Sequence, residues 1–304
     1  MTDKNKSNIL PCVVFILWIS LFNISSYAQV VKPVTKSNDN QADKPWVSTG
    51  NIENEEWHGF KIHKFHIDKF IIQIAEPKTP LKSKVWVMSI GEIGDGFHWE
   101  IDDRLLKSGA FVVAINSYNT YGSDYGLNLM DSVYNLARKK FELPEKCNLF
   151  GVSRAGLSVY RWTIRHPERV ASIYCEGPVL DFKTWPMAWQ PSAANWTELK
   201  QYYGFASDAE AMSYTGNPID NMSIIAKAKI PIRHVISLTD DHDTKIVPNE
   251  KNTLKAQQYL KENGHAMEVI ITPKDMKVPY AFDNESVRFM ISNGYKDVLG
   301  LEKK

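Results

Sequence analysis

Leu149-Phe150-Gly151-Val152-Ser153-Arg154-Ala155-Gly156 decides the fold of this chain. An apolar run enters small-x-Ser-x-small, and Leu157, Val159, Tyr160 and Trp162 then continue at helical spacing. A serine between a strand and a helix must sit on a sharp, strained turn, and small residues at 151 and 155 let the backbone pass closely enough to make one. The turn holds the Ser153 hydroxyl out at the carboxyl edge of a sheet. The amide of Arg154, at the helix start, points where negative charge would develop on an attacked carbonyl, with the helix dipole behind it. The bland alternative is an ordinary Gly/Ser turn.

Outward from this turn, short apolar runs alternate with longer helical stretches. The runs are Val85 to Ile90, Phe111 to Ile115, Asn148 to Val152, Ala171 to Cys175, Ile232 to Ser237 and Val269 to Thr272. Helices are expected over 98–107, 127–141, 154–166, 250–263 and 284–293. The pattern is α/β, a mostly parallel sheet covered on both faces. Before it, the alternation in Phe60–Ile67 and Phe70–Ile74 predicts an antiparallel hairpin. Between 177 and 229 the alternation lapses for too long to be a plain connection, which predicts an inserted helical cap.

At 304 residues, with 43% hydrophobic and 23% charged, the composition is that of an ordinary globular protein. Lys and Arg total 36 against 35 Asp and Glu, a net charge of +1 that supplies no field for a nucleic-acid backbone. Lys4 and Lys6 precede the apolar stretch from Ile9 to Phe22, and Ser26-Tyr27-Ala28 offers small residues at −3 and −1. Residues 1–28 thus read as a signal peptide, 29–50 as a flexible lead-in and 51–304 as one domain, exported to the periplasm or beyond. The apolar stretch is too short for a stable membrane anchor and contains Pro11. Loss of Asp3, Lys4 and Lys6 leaves the mature chain formally neutral. Cys147 and Cys175 would lie at opposite ends of neighbouring strands, too far apart to bridge. No Cys/His spacing resembles a metal site, and no cofactor is expected.

The motifs resemble those of secreted bacterial α/β-hydrolase-fold proteins related to prolyl-oligopeptidase-type and acetyl-xylan-esterase-type hydrolases. Trp86-Val87, Asn119-Thr120-Tyr121-Gly122-Ser123, Gly151 to Gly156, Gly177 to Pro186, Gly216 to Asn221 and Ile246-Val247-Pro248 carry the resemblance over nearly the whole mature chain. It implies Ser153 as nucleophile and Asp243, in Thr239-Asp240-Asp241-His242-Asp243, as the acid; Asp241 is the second choice. Gly91 and Glu92, after the early strand, join Arg154 as candidate oxyanion donors. Tyr118 and Tyr121 at the functional edge, with Trp185 and Trp189 of the cap, are candidate substrate contacts.

The resemblance departs at the base. Hydrolases on this plan place serine, acid and histidine in chain order, the histidine after the last strand. Here that stretch reads Pro273-Lys274-Asp275-Met276-Lys277-Val278-Pro279, and Lys277 stands nearest the histidine position. The family's polar residue after the early Trp-Val strand is also altered, to Ser89. Of the 8 histidines, only His98 and His242 fall at the catalytic edge, as stand-ins for the base. A serine hydroxyl is a poor nucleophile without a base, so three readings stay open. The first is a carboxylic-ester hydrolase of the deacetylase type acting on a small-molecule or carbohydrate ester, in polysaccharide degradation. The second is an impaired pseudoenzyme that binds carbohydrate, and the third is a peptidase.

Overall fold

The computed structural model describes residues 53–96, 99–189, 193–273 and 284–293, all within one unit of chain. Nine strands form one sheet in the order β1-β2-β3-β5-β4-β6-β7-β8-β9. They are β1 Glu53–Trp57, β2 Phe60–Ile67, β3 Phe70–Glu76, β4 Trp86–Ile90, β5 Phe111–Ile115, β6 Cys147–Val152, β7 Val170–Glu176, β8 Ile232–Ile236 and β9 Glu268–Ile271. The first three strands and β5 pair antiparallel, and every pairing from β5 through β4 to β9 is parallel. The expected hairpin is β2–β3. It gains the edge strand β1, Glu-Asn-Glu-Glu-Trp, which shows no apolar alternation and in which Asn54, Glu55 and Glu56 are exposed.

Helices α1 Trp99–Lys107 and α8 Asn284–Ser292 cover one face of the sheet. On the other lie α2 Asp124–Phe141, α3 Ala155–Arg165, α6 Met222–Ala228 and α7 Thr253–Glu262. Each closes over strands buried on both sides, such as Trp86–Ile90 and Cys147–Val152, which is why these runs are mostly apolar, with only Ser89 and Asn148 as polar members. Helix α2 shows how locally the pattern is set. The Ser123 hydroxyl accepts the Gly126 N–H at its start, and Leu127, Met130, Val133, Tyr134 and Ala137 are buried at helical spacing.

The cap carries α4 Ala194–Tyr203 and α5 Asp208–Ser213. Its aromatic residues pack largely on themselves: Phe182, Trp185 and Trp196 share a buried cluster with Tyr121, Leu157 and Val179, and Tyr203, Phe205 and Tyr214 pack against it. Cys147 pairs in register with Val170 at the start of β6 and Cys175 with Gly151 near its end; both thiols are free and buried. No described helix is long and apolar enough to cross a membrane, and no group of three or more acidic, histidine or cysteine side chains among the described residues could hold a metal.

Candidate active site

The sheet order reverses at β5-β4-β6, and the parallel strands end at the edge where ligands of such sheets bind. Ser153 follows β6 there in the left-handed region, at φ 53°, a conformation that costs roughly 1–2 kcal/mol for a residue with a side chain. The turn is held from both sides. Ser153 N–H donates to Glu176 O at 2.9 Å, and Val179 N–H donates to Ser153 O at 2.9 Å. A Cβ on Gly151 would meet Val159 Cγ2 at 2.9 Å and Ala155 Cβ at 3.1 Å; one on Gly156 would meet Val179 O at 2.8 Å. The small residues of the motif are therefore sites of close approach.

His242 Nε2 lies 2.9 Å from Ser153 Oγ, and His242 Nδ1 lies 2.6 Å from Asp243 Oδ1. A carboxylate only accepts, so Nδ1 carries the proton, and Nε2 is the acceptor that faces the serine hydroxyl. The second oxygen, Asp243 Oδ2, accepts the Ser237 N–H at 2.7 Å. Asp243 is fully buried and His242 partly exposed. The assembly can take a proton from Ser153 as its oxygen attacks a carbonyl carbon and hold the resulting imidazolium in place.

Three strand ends explain how one loop brings both groups to Ser153. Val152 pairs with Glu176, and Glu176 with Val235, so Ser153, Gly177 and the residues ending β8 stand side by side. The loop after β8 must cross the tip of β7 to reach the serine, and at that tip is Gly177, at φ 45°. A Cβ there would lie 2.4 Å from Asp243 Oδ1 and 3.0 Å from His242 Cε1. The loop is anchored by Ser237, whose Oγ accepts the amides of Thr239 and Asp240 at 3.1 and 3.0 Å and whose carbonyl accepts Asn249 Nδ2 at 2.8 Å. Asp240 Oδ1 in turn accepts the His242 N–H at 2.8 Å. A wide turn over His242–Ile246 follows, closed by Val247 N–H on His242 O.

The base position therefore differs from the expectation. His242, weighed above only as a substitute, holds the place reserved for a residue after the last strand. Lys277 and His98 lie outside the described residues. Asp241 is exposed and pairs with Lys245 at 2.8 Å, so it is not the acid in contact with the imidazole. Among the candidate oxyanion donors, Arg154 stands at the start of α3, where first-turn amides lack acceptors within the helix. Gly91 is corrected: its N–H extends the β4–β5 ladder to Ile115 O at 3.0 Å. Beyond it, Ile93 N–H binds Gln73 Oε1 and Gly94 N–H binds Asp102 Oδ2. Glu92, whose amide reaches Asp95 Oδ2 only at 3.5 Å, is the least engaged of these donors.

Tyr118 is partly buried beside the Arg154 guanidinium, and burial raises its phenol pKa. Tyr121 is corrected as a substrate contact: its ring is buried, and its hydroxyl donates to Asn195 and Glu198 at 3.1 and 2.8 Å. Trp185 is 8% exposed and belongs mostly to the cap core, whereas Trp189 is 41% exposed. Ser237 and Gly177 escaped the sequence reading. A lone serine after an apolar run, or a glycine after the next strand, carries no signal until the loop between them is seen.

This sheet, its elbow and the loops at its carboxyl edge define an α/β-hydrolase fold. Dipeptidyl peptidase 4 from Porphyromonas gingivalis matches with a TM-score of 0.55 at 13% identity, over 80% of this chain and 36% of that one. The acylaminoacyl peptidase of Pyrococcus horikoshii matches with a TM-score of 0.53 at 14% identity, over 79% and 40%. The S-formylglutathione hydrolase of Staphylococcus aureus also gives 0.55 at 14% identity, over 79% of this chain and 96% of that one. The chain thus spans about two fifths or less of these peptidases and nearly all of the smaller hydrolase. At such identities the likeness is one of fold. No protein-family model and no curated protein matches the sequence.

Proposed function

We propose that the chain is a serine hydrolase of carboxylic esters, with Ser153 as nucleophile, His242 as general base and Asp243 orienting it. The observation that carries this reading is the continuous hydrogen-bonded path from Ser153 Oγ through His242 to Asp243 and on to the Ser237 amide. The amides of Arg154 and Glu92 are its oxyanion donors. The pseudoenzyme reading began from the lack of a histidine after the last strand, and His242 at 2.9 Å from Ser153 Oγ supports the enzyme reading over it. Export and a role beside polysaccharide rest on the leader-like first 28 residues and on the motif resemblance, and belong to the same proposal.

The test compares two candidate bases. Wild type hydrolyses 4-nitrophenyl acetate and is labelled by a fluorophosphonate, and Ser153→Ala abolishes both. His242→Ala lowers kcat by about 10⁴- to 10⁶-fold, whereas Lys277→Ala stays within about threefold of wild type on the proposed scheme. The opposite ranking would return the base to Lys277. Equal rates for wild type and Ser153→Ala would end the enzyme reading.

A further inference from the structure

Arg154 follows Ser153 directly, and its side chain is as ordered by its neighbours as its backbone. Arg154 Nη1 donates to Asn119 Oδ1 at 2.7 Å, and the guanidinium carbon lies 5.5 Å from the Tyr118 ring and 5.9 Å from that of Trp185. The two rings come from different segments, Tyr118–Thr120 after β5 and Lys183–Met187 of the cap. Arg161, Arg165, Arg169 and Arg233 pair with carboxylates of Asp124, Asp131, Glu168 and Glu268. Arg154, among the described residues, has instead the neutral Asn119 amide, the Tyr121 hydroxyl and aromatic faces. Two acids near its neighbours have other partners, Glu198 the Tyr121 hydroxyl and Glu92 the Asn116 Nδ2 at 2.6 Å.

A guanidinium is a planar fork of five donors shaped for a carboxylate, and contacts to Asn119 and Tyr121 leave further N–H groups of that fork for a ligand. Its partial exposure leaves it open to solvent, and the stacked rings fix its plane before a ligand arrives. The N-terminus of α3 adds positive potential at the same spot. We infer that the Arg154 guanidinium receives a substrate carboxylate, so that the esters preferred here carry a free carboxylate close to the scissile bond. This inference rests on Ser153 being the nucleophile.

Two pairs that exchange a carboxylate for a methyl group place the charge on either side of the ester. Mono-4-nitrophenyl glutarate against 4-nitrophenyl valerate puts it on the acyl group, and 3-acetoxybenzoate against 3-tolyl acetate on the alcohol. Wild type is expected to prefer the anionic member of one pair by about 10- to 100-fold in kcat/KM, mostly through KM, as a charge-assisted bidentate pair would give. The ratio shrinks as salt rises and falls to about threefold or less in Arg154→Met. Because a ratio is read, a general loss of rate in the variant does not count. No preference in either pair, or a preference that survives Arg154→Met, overturns the inference. If no ester is cleaved, the nucleophile assignment fails instead. Calorimetry then decides the inference alone, since the Ser153→Ala protein should bind monoethyl glutarate more tightly than ethyl valerate, and Ser153→Ala/Arg154→Met should bind the two alike.

Discussion

Gly177→Ala tests whether the His242–Asp243 pair works where the structure places it. The added Cβ would lie 2.4 Å from Asp243 Oδ1, inside the 3.0 Å that real Cβ atoms essentially never cross, so the contact must open by at least about 0.6 Å. Asp243 cannot retreat freely, because its other oxygen is bonded to the Ser237 amide at 2.7 Å. His242 must then move, with Nδ1 tied to Asp243 and Cε1 itself only 3.0 Å from the new methyl. A misplacement of about 1 Å costs on the order of 10²-fold in rate. The positive φ of residue 177 adds roughly 1–2 kcal/mol of backbone strain. Gly204→Ala isolates that strain, since Gly204 also has positive φ, 71°, but a Cβ there meets nothing within 4 Å. Urea unfolding is expected to show both variants destabilised by about 1–2 kcal/mol, while ester hydrolysis falls about 10²-fold or more only in Gly177→Ala. A folded Gly177→Ala protein with wild-type kcat would refute the idea that this pair activates Ser153.

Two buried ionisable groups predict opposite pH effects on stability. His234 is fully buried between the Tyr160 hydroxyl and Thr253 Oγ1, and burial pushes its pKa down to about 3. Below about 6.5 the unfolded chain binds a proton that the folded one refuses, so this contribution is complete above 6.5 and is lost by about 1.4 kcal/mol per pH unit down to about 3. The slope of unfolding free energy against pH between 6 and 4 should therefore be shallower in His234→Gln, and an unchanged slope would count against a neutral His234. Asp102 is the reverse case. Its Oδ1 has no partner among the described residues, and burial raises its pKa well above the usual carboxylate value. The folded chain then keeps a proton that the unfolded one releases above about 3.9, so stability is lost as pH rises toward the raised value. Asp102→Asn should gain in melting temperature relative to wild type as pH goes from 5 to 8, and a gap that stays constant would show that Asp102 is ionised in the fold.

The sheet was legible because its strands are buried on both faces: Phe111–Ile115 reads as an unbroken apolar run, and Ile232–Ile236 keeps three aliphatic residues around the buried Arg233 and His234. Helix α3 was legible because Leu157, Val159, Tyr160 and Trp162 are all buried, and the elbow because its small residues are demanded by contacts within a few positions. Strand β1 was not, since an exposed edge strand needs no apolar period. The base was harder for a different reason. Its sequence position followed a rule about chain order, whereas catalysis needs only a distance, and nothing in Asp240-Asp241-His242-Asp243 shows that the loop crosses above Gly177. The aromatic candidates misled in part because Tyr121 carries a ring for packing and a hydroxyl for Glu198, and a sequence cannot rank those two uses.

The proposed placing of base and acid on consecutive residues, His242 and Asp243, has a mechanical consequence. Neighbouring side chains in a regular helix diverge by about 100°, so the two can meet only in an irregular turn, which the wide turn from His242 to Ile246 supplies. In the proposed mechanism, Ser237 then governs both groups at once: its amide fixes Asp243 Oδ2, its hydroxyl fixes Thr239 and Asp240, and Asp240 fixes the His242 amide. When acid and base stand on separate loops, each can be retuned alone. Here a shift of the Ser237 anchor displaces both together, so the geometry relative to Ser153 is held by one strand end and by the empty space above Gly177. On that mechanism the chain after β9 need not supply a base, which gives a physical reason why Pro273 to Phe282 can lack a histidine while Ser153 keeps its strained turn.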